Sequence, residues 1–515
     1  MKTRPQAAAA IGVAVAIAVL STGCSGSSSP AGASSAEPQR GGTLTYAFNT
    51  EAQSVDPATC AIGVGMHPCQ AIYGALMYYD PESREFEPGL AESFTTDDGR
   101  TWTLTLRPNL TFTDGTALDA TAVAFNWDRI LDPAQLSRAA TVARTLRWEV
   151  VDPLTLRVVS EDVNYQLPLA LTEDLAFVGS PAAIEQKGAD YGSAPVGAGP
   201  FTLTSWARGT EMVLDRNPGY WDQPRPYVDR LVIKTIPADD QRFNALQAGE
   251  VDVMTVTLDK YADRAENAGM RAVRTSMLGG TGFRMSSRGV LSDRDLRTAI
   301  DKLVDNEQIM NAVYPGEPTA TGFTPEDSPL HSPGSAWPAR DVEGAQALVD
   351  GYRARNGGAE VELSLNVSAG SPVLTQVGEL LQAQLQQVDG LRLNIEPLDG
   401  SAYAAALNSG NYDLIIASVG GAHPENLYKV FHTEGASNGA GLSEPAVDEA
   451  LDITRASGNP AVVESAYKTA IEQIVSASTY RFWRHATVSL LSPDDVQGVR
   501  PAYQYWFRPE LAWFR

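Results

Sequence analysis

Residues 88–123 read PGLAESFTTDDGRTWTLTLRPNLTFTDGTALDATAV and decide the fold. Asp98-Gly99 and Asp114-Gly115 are turn signals, because glycine tolerates the positive φ that tight turns require. Between them, apolar and polar side chains alternate over residues 102–107, which is the period of a half-buried strand. The run that opens at Leu118 predicts a helix. The stretch is therefore a hairpin-rich module that leads into a helix.

The order of amino acids in this stretch is more specific than its hydrophobic periodicity. The order GLAES, then DG with WT and LR, then FTDGT before a helix resembles the signature of family 5 extracytoplasmic solute-binding proteins. These proteins are the oligopeptide, dipeptide and nickel receptors of ABC importers. Three later segments extend the resemblance: VGAGPF at 196–201, NPGYW at 217–221 and ALQAGEVDV at 245–253. Val55 departs from the family, which has Leu before the Asp-Pro at that point.

The resemblance implies an α/β fold with two lobes and a ligand cleft between them. The expected architecture is periplasmic-binding-protein-like, of type II, in the large cluster that carries an extra hairpin-rich subdomain. We expect one crossing strand between the lobes near Gly279 to Phe283. The expected boundaries are 41–78, 188–282 and 489–515 for the lobe I core, 79–187 for the inserted subdomain and 283–488 for lobe II.

The second half of the chain shows alternating strand and helix patterns. Residues 361–367, 391–395 and 412–416 have strand patterns, and 373–388 and 403–407 between them follow helical spacing. A βαβαβ order needs crossover connections and therefore predicts a mostly parallel sheet. Ser292, with Asp295 three residues later, predicts a capping box at the start of a further helix.

The N-terminus resembles a bacterial lipoprotein export signal. Lys2 and Arg4 precede an apolar run over residues 7–20. As a helix this run spans roughly 21 Å, less than the ~30 Å core of a bilayer. Leu20 to Cys24 resembles a lipobox, although Leu lies one position further from the cysteine than usual. We expect a signal peptide over 1–23, lipidation of Cys24 and a flexible tether over 24–40. The lipid would attach the protein to the outer face of the cell membrane. Cleavage by an ordinary signal peptidase, without lipidation, is the alternative.

Composition narrows the classes of partner. The 515 residues carry a formal charge of −23, and 43% are hydrophobic. A chain this acidic is a poor nucleic-acid binder, because phosphate backbones need basic patches. The length suggests about three domains with a sizeable core. We expect no nucleic-acid partner.

The remaining cysteines, Cys60 and Cys69, suit an exported protein. An even pair in an oxidising compartment predicts a disulfide that closes a short loop. The spacing is too sparse for a zinc site, although His67 lies nearby. We therefore expect no metal site.

Catalytic motifs are missing from the sequence. There is no G-x-S-x-G, no H-E-x-x-H and no P-loop, and the five histidines are scattered along the chain. We expect no catalytic residues, no cofactor and no enzyme activity. A secreted hydrolase or an envelope-assembly factor on the same scaffold is the alternative from another class.

The resemblance also implies where the solute binds. In peptide-binding relatives an extended ligand pairs its backbone with protein backbone, like an added strand. One loop follows the Asp-Pro near the N-terminus and corresponds here to Ile62, Gly63 and Val64. The other follows Tyr-Asp-Leu and corresponds to residues 418–423, which are Ser418, Val419, Gly420, Gly421, Ala422 and His423.

The second loop lacks two features of peptide receptors. Val419 and Ala422 occupy the positions where an aromatic side chain and the acid for a peptide's α-ammonium group are expected, and the nearest acid is Glu425. Gly420-Gly421 suits close backbone approach or a plain turn. His423 can donate to a carboxylate, ligate a metal chelate or have no role.

We therefore expect a peptide or peptide-like solute held through its backbone, with weak recognition of a free N-terminus. A sugar, an opine or a metal chelate is the alternative solute. The permease subunits of an ABC importer are the expected protein partners, and the chain is expected to be a monomer.

Overall fold

A computed structural model of the chain describes residues 37–60, 66–502 and 506–515. The export signal, Cys24, nearly all of the tether and the three positions Ile62, Gly63 and Val64 lie outside the described residues. Within the described ranges, no helix is both long enough and apolar enough to cross a membrane.

Twenty strands and fourteen helices make up the described chain. The strands are β1 (Thr43–Phe48), β2 (Met77–Asp80), β3 (Glu85–Pro88), β4 (Ala91–Thr96), β5 (Thr101–Leu106), β6 (Leu146–Asp152), β7 (Thr155–Ser160), β8 (Phe201–Ala207), β9 (Glu211–Arg216), β10 (Arg230–Thr235), β11 (Val253–Val256), β12 (Arg271–Met285), β13 (Val361–Ser368), β14 (Leu391–Leu398), β15 (Leu414–Gly421), β16 (Tyr480–Ser492), β17 (Val496–Gln497), β18 (Pro501–Ala502), β19 (Trp506–Phe507) and β20 (Trp513–Phe514). The helices are α1 (Met66–Tyr73), α2 (Ala120–Leu131), α3 (Ala140–Ala143), α4 (Pro181–Lys187), α5 (Asp239–Gln247), α6 (Asp259–Asn267), α7 (Arg294–Leu303), α8 (Asn306–Val313), α9 (Val342–Arg355), α10 (Pro372–Leu385), α11 (Gly400–Ser409), α12 (Asn426–Phe431), α13 (Pro445–Ala456) and α14 (Pro460–Ser476).

Two long antiparallel strands, β12 and β16, join the two lobes. The largest sheet has the order β14-β13-β15-β12-β16-β11-β1-β10-β9-β8. Lobe I contains the strands on the β11 side, where Arg271 of β12 pairs with Ser492 of β16. Lobe II contains the strands on the β15 side, where Arg284 pairs with Tyr480. The two-lobed α/β fold is confirmed, whereas the domain boundaries stay predictions.

The β12–β16 ladder is irregular where it passes between the lobes. Its register shifts between Ser276 and Gly280 and again between Thr281 and Gly282. A Cβ atom on Gly280 would lie 2.2 Å from the carbonyl oxygen of Arg484, so the strands approach too closely there for any side chain. Irregular pairing in this segment makes it the natural place for the strands to bend between the lobes.

The stretch quoted first, residues 88–123, forms the first part of a hairpin module, which we define as residues 91–178. Strands β4 and β5 meet at the turn containing Gly99, whose φ is +69°, and the module's sheet has the order β4-β5-β7-β6. Its helix begins at Ala120, two residues later than the sequence pattern suggests. The reason is that the Leu118 N–H donates to the Leu110 carbonyl at 3.0 Å, which leaves Asp119 to cap the helix.

The second half of the chain forms the parallel βαβαβ unit that its pattern predicts. Strand β13 is parallel to β14 and to β15, and helices α10 and α11 make the crossovers. Helix α7 differs from the prediction in its cap. Asp293 accepts from the Leu296 N–H at 3.2 Å, whereas Ser292 donates its hydroxyl to the Gly289 carbonyl at 2.7 Å. Ser292 is therefore engaged in the preceding turn and does not cap the helix.

Candidate ligand-binding site

A cavity of about 560 Å³ lies between the hairpin module and lobe II. This volume is within the range of small-molecule sites. We call it the interlobe cavity. The charged and aromatic side chains that line it are Arg138 and Asp174 of the hairpin module and Arg284, Tyr428, Lys429, Glu434 and Arg455 of lobe II.

Strand β15 presents an open edge in lobe II. It pairs with β12 over its whole length, but with β13 only at Leu414 and Ile415. The Val419 N–H donates at 2.9 Å to the Tyr480 hydroxyl, which in turn donates to the Gly280 carbonyl, so the backbone of Val419 faces β12. Because backbone groups alternate in direction along an antiparallel strand, Ser418 and Gly420 point their N–H and C=O groups to the other edge.

No strand of the described chain covers this open edge beside Ser418 and Gly420. On the same edge, the Ile416 carbonyl accepts a hydrogen bond from the Tyr403 hydroxyl. Tyr403 belongs to α11, and the same helix contributes Asn408 to the interlobe cavity.

Four of the predicted loop positions fall into two groups, and Ala422 lies apart from them. Ser418 and Gly420 are exposed, and the Ser418 hydroxyl is 3.1 Å from that of Thr281. Val419 and Gly421 are buried, and a Cβ atom on Gly421 would lie 1.8 Å from the Asn426 amide nitrogen. Ala422 lines a separate groove of about 510 Å³. Their assignment as ligand contacts stays a prediction.

His423 is buried between the lobes. Its ring centroid lies 4.9 Å from that of Tyr79 and 5.5 Å from that of Phe86, both in lobe I. Its Nδ1 atom accepts from the Glu425 N–H at 3.1 Å. Burial, with a smaller contribution from the charge of Lys429, lowers the pKa of His423 to about 3. The imidazole is therefore neutral at physiological pH and fills an interlobe contact.

The buried acids Asp174 and Glu425 are engaged by cations, whereas Glu434, which also lines the interlobe cavity, is exposed and forms no ion pair with a described cation. Glu425 is buried and accepts from the Arg455 Nε at 2.7 Å, and the Arg455 guanidinium stacks 3.2 Å from the Tyr428 ring centroid. Lys429 of lobe II pairs with Asp174 at 3.3 Å, and also with Glu173. An α-ammonium group entering the cavity would have to compete with Lys429 for Asp174.

The reasoning from sequence missed Arg284, Asp174 and Lys429. Asp174 and Lys429 are 255 residues apart, and no local pattern links them. Arg284 does have a signal in the sequence, because it is the one charged residue in the strand segment GTGFRM. A single charge in a strand that is otherwise buried on both faces is a candidate for function.

The disulfide pair lies next to the first predicted loop. Cys60 and Cys69 are joined, with their Cα atoms 6.5 Å apart, so that Cys60 is tied to α1. Among the described residues, no group of three or more His, Cys, Asp or Glu side chains could hold a metal ion.

A two-lobed α/β fold with a cavity between the lobes is an architecture suited to binding a ligand. The family model described as "Bacterial extracellular solute-binding proteins, family 5 Middle" matches residues 85–440. The chain belongs to this family.

The chain is also similar to individual proteins. "Protein XP55" of Streptomyces lividans is 28% identical over 469 residues, covering 87% of this chain and 85% of the relative. The glutathione-binding protein GsiB of Salmonella paratyphi A is 25% identical over 367 residues, covering 70% of each chain. The structure of the ABC transporter-associated periplasmic binding protein DppA from Helicobacter pylori, in complex with the peptide STSA, has a TM-score of 0.76 at 20% identity and covers 92% of this chain and 98% of DppA.

Proposed function

We propose that this protein captures a peptide or peptide-like solute between its lobes and delivers it to the permease subunits of an ABC importer. The observation that carries the proposal is the open edge of β15. It exposes the backbone groups of Ser418 and Gly420, and a peptide backbone can pair with them as an added strand.

The charges around the site favour recognition through the backbone over recognition of a free N-terminus. Glu425 is held by Arg455, and Asp174 is held by Lys429, so neither carboxylate is available without the loss of an ion pair. We infer that N-acetylation of a bound peptide changes its affinity little. The named ligands of GsiB and of the DppA complex, glutathione and the peptide STSA, support a peptide-like solute.

The location and the assembly state belong to the same proposal. We infer that the chain is exported, lipidated at Cys24 and held as a monomer at the outer face of the cell membrane. The apolar run before Cys24 and membership of an extracellular family support this inference. Detergent partitioning of a Cys24→Ala variant tests it: the variant is expected in the soluble fraction, and its retention in the detergent phase would contradict lipidation.

The binding proposal is tested at Ser418. Proline at this position removes the outward N–H, while pairing with β12 is kept because the backbone of Ser418 points away from that strand. Pools of tri-, tetra- and pentapeptides are titrated against each variant by calorimetry. Loss of one buried hydrogen bond weakens binding by about 5- to 100-fold.

Ser418→Ala is the matched control, because it removes the hydroxyl group and keeps the N–H. We expect Ser418→Ala to bind like the parent and Ser418→Pro to bind weakly. Equal affinity in both variants would contradict strand addition at this edge. Recovery of unchanged peptides after incubation separates binding from hydrolysis by an enzyme on the same scaffold.

A further inference from the structure

Six arginines are buried in the described chain, and five of them have carboxylate or carbonyl partners. Arg242, Arg297, Arg481 and Arg508 pair with carboxylates, and Arg484 donates to the Thr257 carbonyl at 2.6 Å. Arg284 is the sixth. It forms no ion pair with any described carboxylate, and its Nε has no hydrogen-bond partner there.

No acid elsewhere in the chain can supply the missing partner. The residues outside the described ranges, 1–36, 61–65 and 503–505, contain neither Asp nor Glu. Every side-chain carboxylate of this protein is therefore described, and none of them pairs with Arg284. A buried charge without a partner is costly, and a guanidinium group cannot avoid the cost by losing its proton.

The geometry of β12 directs Arg284 to the interlobe cavity. Its neighbours Phe283 and Met285 belong to the core on one face of the lobe II sheet. Because successive side chains of a strand point to opposite faces, Arg284 points to the other face, where it lines the cavity. Only 8% of the residue is exposed, so it is held in place by packing.

The groups around Arg284 do not neutralise it. Burial raises the pKa of Tyr403, Tyr412 and Tyr480, and the charge of Arg284 only partly opposes this effect, so the three phenols are uncharged at physiological pH. Elsewhere in the cavity, the charges of Lys429 and Arg455 are already balanced by carboxylates.

Two further charged groups line the cavity, and both are exposed. Arg138 has no ion pair with a described carboxylate, and Glu434 forms none with a described cation. Among the cations that line the cavity, Arg284 is the one that is buried and forms no ion pair with a described carboxylate.

We propose that Arg284 binds a carboxylate of the transported solute. This inference rests on the proposed function and narrows it to solutes with an acidic group. A guanidinium offers parallel N–H donors that match the two oxygens of a carboxylate, and the pair is strong where water is excluded. On a peptide, the carboxylate belongs either to the C-terminus or to an acidic side chain.

Titration calorimetry with paired probes tests the inference. The probes are pools of tri-, tetra- and pentapeptides, each made as the free acid and as the C-terminal amide, together with matched pools in which Glu replaces Gln. We expect the parent protein to prefer either the free acids or the Glu peptides by about 30-fold or more, because truncating one partner of a buried charge pair has at least that effect. The preferred pool identifies which carboxylate is bound.

Two variants and a control separate this role from a structural one. Arg284→Gln is expected to abolish the preference for the acid, and Arg284→Lys to keep part of it. Arg484→Gln is the matched control, because Arg484 is also 8% exposed but donates to Thr257 and is not among the residues that line the cavity. Its ratio of acid to neutral affinity is expected to stay at the parent value, even if its overall affinity falls.

The outcomes distinguish this inference from the proposed function. If the peptides bind but the acid and neutral forms bind equally, the inference is wrong and peptide capture stands. If the preference survives in a folded Arg284→Gln variant, the inference is also wrong. If peptides do not bind, peptide capture is wrong, and a sugar acid and an imino-diacid serve as the next probes. Binding of these acids that depends on Arg284 then supports the inference. Binding of these acids that is independent of Arg284 contradicts the inference as well.

Discussion

The two faces of the lobe II sheet each bury an arginine, and the two residues are on neighbouring strands. Arg481 lies opposite Phe283 in the ladder, on the face that packs against α7 and α8. It donates to the Asp301 carboxylate at 3.0 Å and to the carbonyl oxygens of Asp301 and Val304. Arg284 lies opposite Tyr480, on the face that adjoins the interlobe cavity. It has no carboxylate partner in this protein.

The difference shows how burial can serve structure at one position and function at another. The donors of Arg481 are matched by oxygens of the fold itself, so its charge is compensated whenever the protein is folded. Arg284 is equally unable to lose its proton, but no described carboxylate forms an ion pair with it, so a carboxylate partner would have to come from the solute. Removing the first arginine should damage the fold, whereas removing the second should damage binding alone.

The largest expected effect is at Arg481. In Arg481→Met the Asp301 carboxylate stays buried without its partner, and breaking a buried ion pair in this way costs about 3–5 kcal/mol. Urea unfolding measures this free energy. The double variant Arg481→Met/Asp301→Leu should recover most of the loss, because an apolar pair of similar volume removes the unpaired charge. A loss below about 1 kcal/mol in the single variant would show that Arg481 is not a structural charge.

His423 extends the comparison of the two buried arginines, because it is a buried base that, unlike arginine, can lose its proton. Its folded pKa of about 3 lies below the unfolded value of about 6.5, so its contribution is complete above pH 6.5 and is lost as the pH falls towards 3. At pH 5 the loss is about 2 kcal/mol. The change in unfolding free energy between pH 7 and pH 5 should be smaller by this amount in His423→Phe.

His331→Phe is the control for that measurement, because His331 is only half-buried. The pKa of His485 is also lowered by burial, to about 4, and its share of the acid sensitivity should remain in both variants. An unchanged pH dependence in His423→Phe would mean that His423 is solvated in solution and that its contact with Tyr79 and Phe86 is not kept.

The smallest expected effect is on the stability of Arg284→Met without solute. No ion pair is lost, and a charge without a partner is removed from a buried position, so the unfolding free energy should stay within about 1 kcal/mol of the parent or rise. Urea unfolding of the purified variant measures it. Destabilisation as large as that of Arg481→Met would reveal a structural partner for Arg284. The arginines on the two faces of the lobe II sheet would then both have a structural role.

Local sequence patterns were sufficient for many of the elements, whereas the two-lobed class of fold was expected from the resemblance to family 5. The Asp98-Gly99 turn, the strand alternation after it and the βαβαβ order of residues 361–416 all depend on neighbours a few residues apart. Backbone geometry translates such patterns directly into turns, strands and parallel crossovers. The start of α2 and the cap of α7 were each misplaced by one or two residues, because hydrogen bonds to preceding residues decided them.

Only the tertiary structure decided which charges in the site are compensated. The sequence shows that Arg284 is the one charged residue in the segment GTGFRM and that Glu425 is the acid nearest to the predicted loop. It did not determine that Arg455 holds Glu425, that Lys429 reaches Asp174 from the other lobe, or that Tyr79 and Phe86 enclose His423. The physical reason is that the partner of a charge is selected by distance in space, and these partners lie 30 to several hundred residues apart along the chain.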